Sequence, residues 1–207
     1  MTKRVELVFD FVSPNAYLIW WPLRELCDRY EAGLSVIPVF LGGMHKLTGN
    51  APPIIRDAEV KGKNAYAMLE MQRFITRHAL TKYRMHPAFP FNSITLQRML
   101  FAADQDGRGV QFAGAMLRAI WEEGIDVTSP DAVGAAVSAA GFDAADLFAR
   151  AQSDAVKQGL VANTDAAVER GAFGIPTMWV CQGDGDGEMF FGKERLGQIE
   201  ELLAASA

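Results

Sequence analysis

Val5, Leu7, Phe9 and Phe11 occupy alternate positions, with Val8 also apolar between them. Alternation marks a strand, and the extra apolar residue marks one covered on both faces. From Pro14 the period changes. Tyr17, Leu18, Trp21, Leu26 and Cys27 recur at helical spacing to about Tyr30, and Gly33 stops the run. Residues 34–40, LSVIPVF, return to a strand pattern in which Pro38 argues for an edge position or a bulge. Strand, helix and strand in this order imply a right-handed βαβ unit. The stretch GGMHKLTGNAPP, residues 42–53, is dense in Gly and Pro and reads as a loop. No strand signal follows until about residue 170. Asn92-Ser93 and Ser129-Pro130-Asp131 read as helix starts, and Gly107, Gly109, Gly124 and Gly141 as stops, which accommodates five or six helices. IPTMWVCQ (175–182), the turn GDGDG and EMFFG (188–192) then predict a β-hairpin, and a helix from about Glu194 to Ala205 closes the chain.

The order βαβ, all-helical block, ββα predicts the thioredoxin fold: an α/β protein with a four-stranded mixed sheet and helices on both faces. The helical block becomes a large insertion between the two halves. Residues 1–56 with 171–207 are the expected thioredoxin-like domain, and residues 57–170 the helical insertion domain. In this fold the segment GIPT places Pro176 at the start of the third strand as a cis-proline facing the N-terminus of the first helix.

Composition narrows the class. Half of the 207 residues are hydrophobic, 22% are charged, and the net charge is −5. That supplies a sizeable core but no basic face for nucleic acid or an anionic membrane. No apolar run approaches the roughly 18 residues of a transmembrane helix, and the acidic residue within MTKRVELVFD does not suit a secretory signal. Cys27 and Cys181 are far apart and form no CxxC. Both lie in apolar runs and are expected to be buried free thiols, which fits a cytoplasmic protein.

The main chemical candidate is Ser13, which reads two ways. As an N-cap before Pro14 it satisfies a backbone donor. At a helix N-terminus its hydroxyl also suits an anion. Ser129-Pro130-Asp131 has the same local pattern and no assigned function, so local sequence alone favours capping. The position of Ser13 at the first β–α junction of this fold reverses that preference. His45, His78 and His86 lack metal-ligand spacing and read as surface or capping residues. GDGDGE is too short for an EF-hand loop and reads as a hairpin turn.

DFVSPNAYL, the loop TGNAPP, FPFNSITLQRML, NTDAAVERGAFGIPT and FFGKERL occur in this order and spacing. Together they resemble the 2-hydroxychromene-2-carboxylate isomerases, which stand with the kappa-class glutathione transferases in the DsbA-like branch of thioredoxin folds. The resemblance spans nearly the whole chain. Ser13-Pro14-Asn15-Ala16 occupies the place where redox members carry CxxC, so no attacking cysteine exists for thiol–disulfide exchange. The sequence departs from the family at Asn15, where tyrosine is usual, and at Lys193-Glu194, where an amide and Asp often precede the arginine.

The resemblance implies a glutathione cofactor and a homodimer. Ser13 then donates to the glutathione sulfur and lowers its pKa, acting as a stabiliser and not as a nucleophile. Asn50 contacts the peptide near its cysteine and glycine, although an Asn holding its own turn is the alternative. The backbone of Ile175, before Pro176, pairs with the glutathione cysteine. The turn Lys193, Glu194 and Arg195 holds the γ-glutamyl end, with Glu194 on its ammonium; for Lys193 an ordinary charged first turn is the alternative. Lys61 or Lys63 neutralises a carboxylate, with at least one of them on a solvated face. Asn15, Lys61 and Asn92 are the candidate substrate contacts. The implied reaction converts 2-hydroxychromene-2-carboxylate, an aromatic carboxylate, to trans-o-hydroxybenzylidenepyruvate in aromatic hydrocarbon breakdown. A kappa-type transferase and a non-catalytic ligand-binding module are the rivals.

Overall fold

The sheet forms around the apolar N-terminal strand. The computed structural model describes residues 3–183 and 185–205. In it β1 (Lys3–Phe9) lies between β2 (Gly33–Pro38) and β3 (Thr177–Gln182), with β4 (Glu188–Phe191) beyond β3. β1 and β2 run parallel, Val5 opposite Leu34 and Phe9 opposite Pro38, whereas β3 is antiparallel to both β1 and β4. This is the mixed four-stranded sheet that the element order predicted. Val5, Leu7, Val8 and Phe9 are fully buried, so both faces of β1 are covered. Pro38 ends an edge strand, as its missing donor requires.

α1 (Pro14–Arg29) joins the parallel strands. Pro22 stands inside it, a substitution that costs about 3 kcal/mol in a helix interior. The helix nevertheless continues to Arg29, because eight of its residues are buried, among them Tyr17, Leu18, Trp20 and Leu23. At about 1.5–3 kcal/mol for each large apolar side chain, that burial outweighs the proline.

The next segment corrects the sequence reading. GGMHKLT does not form a loop; Leu41–Thr48 is a helix, α2, which Gly49 ends in the left-handed region (φ 68°). Gly42 and Gly43 each disfavour a helix by about 1 kcal/mol, but tertiary anchors override them. The Leu41 N–H is held by Asp10 at 2.9 Å, the Phe40 N–H by Thr164 Oγ1 at 3.0 Å, and Met44 is fully buried.

Seven helices follow: α3 (Pro53–Arg56), α4 (Lys63–Arg77), α5 (Ile94–Gln105), α6 (Gly109–Trp121), α7 (Pro130–Ala139), α8 (Ala144–Gln152) and α9 (Asp154–Glu169). Six of them, α4 to α9, lie in the region expected to hold five or six. Gly107 stops α5 with φ 70°, but Gly109 opens α6 instead of ending a helix. A side chain at position 109 would collide with Asp104, so glycine is needed there for space. At the start of α5 the Asn92 Oδ1 accepts the Ile94 N–H at 3.0 Å, and the Ser93 hydroxyl makes no cap.

The hairpin strands form as expected, with residue 184 of the GDGDG turn outside the described residues. The closing helix is delayed: Lys193–Arg195 is a 3-10 turn, and α10 runs Leu196–Ala204. Cys27 and Cys181 are buried and free. Burial, and then the nearby Asp28 charge, push the Cys27 thiol up to about 12, so it is inert. Of the two roles expected for His86, surface or capping, it takes the capping one. It is 4% exposed, its Nε2 pairs with the Ile125 carbonyl at 2.9 Å, and its Nδ1 accepts the Ala88 N–H. Among the described residues no helix is long and apolar enough to cross a membrane.

Candidate functional site

β1, β2 and β4 run in one direction and β3 in the other, so β1, β2 and β4 end, and β3 begins, on the same edge of the sheet. Four connections meet there: residues 10–13 before α1, 39–40 before α2, 173–176 before β3, and 192–195 after β4. Ser13, Ile175, Pro176 and the turn Lys193–Arg195 are thereby brought to one edge. Asn50 joins them through its Nδ2, which donates to the Phe173 carbonyl at 2.7 Å, while its Oδ1 accepts the Ala51 N–H at 2.8 Å. It thus holds its own turn and also ties that turn to the segment before Pro176.

Ser13 is 4% exposed and extended (φ −83°, ψ 114°), and its Oγ accepts the Ala16 N–H at 3.4 Å. The capping reading is therefore correct as far as it goes. A hydroxyl has one donor besides its lone pairs, and the cap uses only a lone pair. The Ser13 proton remains available for an acceptor at the positive end of the α1 dipole, where no acidic residue occupies the first turn. Ser129 caps Ala132 in the same way at 3.3 Å, but it lies on α7, away from that edge of the sheet.

The Ile175–Pro176 bond is cis, as the fold reading required. Ile175 is 7% exposed, and neither its N–H nor its C=O takes a hydrogen bond from the described residues. Pro176 O is held by the Gly192 N–H at 3.0 Å, which fixes the Lys193–Arg195 turn beside the proline. Phe173 and Phe191, with ring centroids 4.4 Å apart, flank this junction as an aromatic shelf.

Lys193 is 7% exposed, so it does not belong to an ordinary solvated first turn. Its ammonium pairs with Glu194 and lies 5.5 Å from the centre of the Phe74 ring. Lys193 and Glu194 line a groove of about 580 Å³ between α1, the second half of α4 and the start of α10, along with Phe74, Arg73 and Leu196. Ser13 does not line this groove, and neither does Arg195, whose side chain is exposed.

The remaining candidates are spread more widely. Asn15 is half-buried in the first turn of α1, and its Oδ1 is buried without a hydrogen-bond partner among the described residues. Asn92 is exposed and occupied with its cap. Lys61 is exposed in the turn before α4, whereas Lys63 is bound to Asp57 at 2.9 Å. Paired with Arg56 and Lys63, the Asp57 carboxyl is held down at about 2. No described contact brings either lysine to Ser13.

The residues that set the edge are ones the sequence reading missed. Asp10 is fully buried, accepting the Val12 N–H at 3.1 Å and the Leu41 N–H at 2.9 Å, and its main-chain oxygen accepts the Ser13 N–H at 3.1 Å. Burial raises its pKa to about 6 against the lowering effect of those donors. Gln97, also fully buried, donates from Nε2 to the Phe9 and Val39 carbonyls, each at 2.7 Å, and accepts the Phe11 N–H at 3.4 Å. Trp121 Nε1 donates to the Phe11 carbonyl at 3.1 Å. The signal was present: a charge between Phe9 and Phe11 in a buried run, and an amide within the apolar stripe of Leu96, Met99 and Leu100.

This geometry has counterparts in known proteins. A family model described as a DSBA-like thioredoxin domain matches residues 4–204. The 2-hydroxychromene-2-carboxylate isomerase of Pseudomonas putida is 28% identical over 204 residues, covering 96% of this chain and 93% of its own. Human glutathione S-transferase kappa 1 is 26% identical over 215 residues, covering 98% of this chain and 92% of its own. A solved structure of a 2-hydroxychromene-2-carboxylate isomerase superposes with a TM-score of 0.81 at 27% identity, covering 98% of this chain and 95% of that one.

Proposed function

This chain belongs to the DSBA-like thioredoxin family, and from that premise we propose that it is a glutathione-dependent isomerase acting on an aromatic hydroxy-carboxylate of the 2-hydroxychromene-2-carboxylate type. One observation carries the reading. At the helix start where disulfide chemistry needs a cysteine, the chain has a buried serine whose oxygen caps the helix and whose proton is uncommitted. Similarity to the Pseudomonas putida isomerase supports the same assignment.

The residues fit the tripeptide. The open N–H and C=O of Ile175 suit an extended peptide strand. The second Nδ2 hydrogen of Asn50 suits a carbonyl or carboxylate near it. Backbone donors of the Lys193–Arg195 turn with the Glu194 carboxylate suit the carboxylate and ammonium of a γ-glutamyl group, and buried Lys193 adds positive charge there. Bound glutathione supplies a thiolate that adds reversibly to a conjugated carbon, so that ring opening and bond rotation can precede its expulsion. Ser13 holds that sulfur as an anion by donating its proton along the α1 axis. Asn15, with its unpartnered amide oxygen, and Asn92 are the proposed polar contacts to substrate, with exposed Lys61 as the proposed cation for its carboxylate.

The test is Ser13→Ala. A charge-assisted hydrogen bond is worth about 1.5–3 kcal/mol, so turnover with chromene carboxylate should fall roughly tenfold to a hundredfold at neutral pH. Raising the pH should recover much of the loss, because the bound thiol's pKa rises when its donor is removed. Calorimetry showing no glutathione binding by the wild type at millimolar concentration refutes the cofactor. An unmoved pH–rate profile refutes the role of Ser13.

The similarity to human kappa transferase favours a second reading, conjugation with retention of the thioether. Product analysis with chromene carboxylate and with chlorodinitrobenzene separates the two. Activity and glutathione binding both absent would mean a non-catalytic binding module. The same reading takes residues 1–56 with 171–207 as the cofactor-binding unit and 57–170 as the substrate-side insertion. It also takes the protein as a cytoplasmic homodimer, the compartment being one where thiols stay reduced. Exposed Ile54, Ile55, Val60, Tyr66, Met68 and Leu69 on α3, α4 and their link support self-association. Sedimentation as a monomer at micromolar concentration refutes the dimer.

A further inference from the structure

α1 borders two grooves, and they differ in how their charge is balanced. In the groove shared with α4 and α10, Glu70 pairs with Arg73, Glu25 and Glu200 with Arg29, and Glu194 with Lys193. The second groove, of about 470 Å³, lies between α1 and α6, and no acid lines it. Its cations are Arg24 on α1 and Arg118 on α6, and neither makes an ion pair among the described residues. Arg118 instead lies 4.5 Å from the centre of the Trp21 ring, and Arg24 5.9 Å from that of Trp20. Asp28, one turn along α1 from Arg24, is exposed, and Glu122, just past α6, is taken up by the Tyr17 hydroxyl. Trp20 is fully buried against Gly114, and its Nε1 has no hydrogen-bond partner among the described residues. That nitrogen stands 3.3 Å from where a Cβ at Gly114 would lie, so the indole N–H is turned toward the part of the groove lining that glycine leaves bare.

We propose that the groove between α1 and α6 is a binding site for a small planar aromatic carboxylate, held between Arg24 and Arg118. Two unpaired guanidinium forks match the oxygens of a carboxylate. Val110, Gly114, Ala115 and Ala140 supply the apolar remainder of the lining. They suit the ring of an aromatic acid, and they would leave the further oxygens of a phosphate without donors. The Trp20 N–H is too enclosed to bond the ligand itself, but its positive end, uncompensated by any acceptor, adds to the field of the two arginines. The volume falls in the roughly 300–1,000 Å³ range of small-molecule sites. Arg24 stands near the far end of α1 from Ser13, roughly 16 Å along the helix at about 1.5 Å per residue. The groove is therefore separate from the edge of the sheet where Ser13 lies, and the inference stands whether or not Ser13 holds a thiolate.

The test follows the indole N–H resonances of the protein during titration with 2-naphthoate. Those of Trp20 and Trp21 should shift together and saturate with a Kd of about 1 mM or tighter. Arg118→Gln should weaken that binding roughly tenfold or more, and Arg24→Gln gives a second, independent reading of the same loss. Full affinity in both variants overturns the proposal. Trp121 reports on the connection before α1 through its bond to Phe11. Movement of the Trp121 resonance alone would place naphthoate near Ser13 and overturn the proposal, as would still resonances of Trp20 and Trp21 at about 10 mM ligand. Two further probes settle the chemistry without any variant. 2-Naphthalenemethanol, neutral and of nearly the same shape, should bind roughly tenfold more weakly or worse; equal binding refutes the role of the arginines. Inorganic phosphate should move neither resonance, and shifts equal to those with naphthoate would mean a general anion site and refute the aromatic class.

Discussion

Gln97→Leu should be among the more damaging single substitutions in this protein, and the cost can be worked from its three hydrogen bonds. Leucine nearly matches glutamine in size, so little cavity opens among Leu96, Met99 and Leu100. The loss is polar. Phe9 O keeps a partner, since it also accepts the Val39 N–H at 3.1 Å. Val39 O and the Phe11 N–H lose the only bonds to them among those described. Each stranded buried backbone group costs about 1–3 kcal/mol, giving about 2–6 kcal/mol for the two, reduced by roughly 1 kcal/mol for the more apolar side chain. Urea unfolding at neutral pH should therefore show a midpoint shift equivalent to about 1–5 kcal/mol. Amide hydrogen exchange should accelerate at Phe11, Val12 and Leu41 before it does in α7 or α8, because the damage is local to the two clamped connections. A stability loss under about 1 kcal/mol, or exchange that accelerates evenly, would show that Gln97 does not hold the edge of the sheet together.

Two further outcomes follow from the same residues. Ser129→Ala should cost about 0.5–2 kcal/mol as a lost cap and leave the proposed glutathione binding untouched, as calorimetry on the folded variant can check. Asp10 should give the protein a descending stability profile on its own account. Burial raises its folded pKa to about 6 from about 3.9 unfolded, so between those values the native chain holds a proton that the unfolded chain has released. That contribution is complete below about pH 4 and is lost as pH rises through 6, amounting to about 3 kcal/mol; unfolding curves of the wild type and Asp10→Asn across that range should diverge by this amount.

The fold was legible where periodicity and topology agree. Alternation in residues 5–11, helical spacing after Pro14 and the hairpin near residue 180 each specify an element, and their order leaves few ways to form one sheet. α2 was hidden because its two glycines carry the local signal of a loop, while what makes it helical is Asp10, Thr164 and the burial of Met44. Those partners lie about 30 residues before it and 120 after it in sequence. Gly109 misled for the opposite reason: glycine was read as a conformational stop, whereas here it makes room for Asp104. Asp10 and Gln97 went unread because a buried polar residue looks like any other polar residue until its partners are known, and those partners are backbone groups, several of them distant in sequence.

Ser13 and Ser129 show where local sequence stops being informative. Both precede a proline, both are extended, and both cap the third residue of their helix at nearly the same distance. In cap geometry they are the same motif. The difference is made by what stands around them. Ser129 caps α7 on a half-exposed surface, with an acidic residue, Asp131, already satisfying the positive end of its helix. At Ser13 the first turn of the helix has no acid, and the connection leading into it is fixed by Gln97 and Trp121. The cis-proline segment lies on the same edge with the Ile175 backbone open. An anion at α7 would compete with Asp131. An anion at α1 would meet a donor, an uncompensated dipole and the open backbone of Ile175 together, and the proposed binding role of Ser13 rests on that convergence.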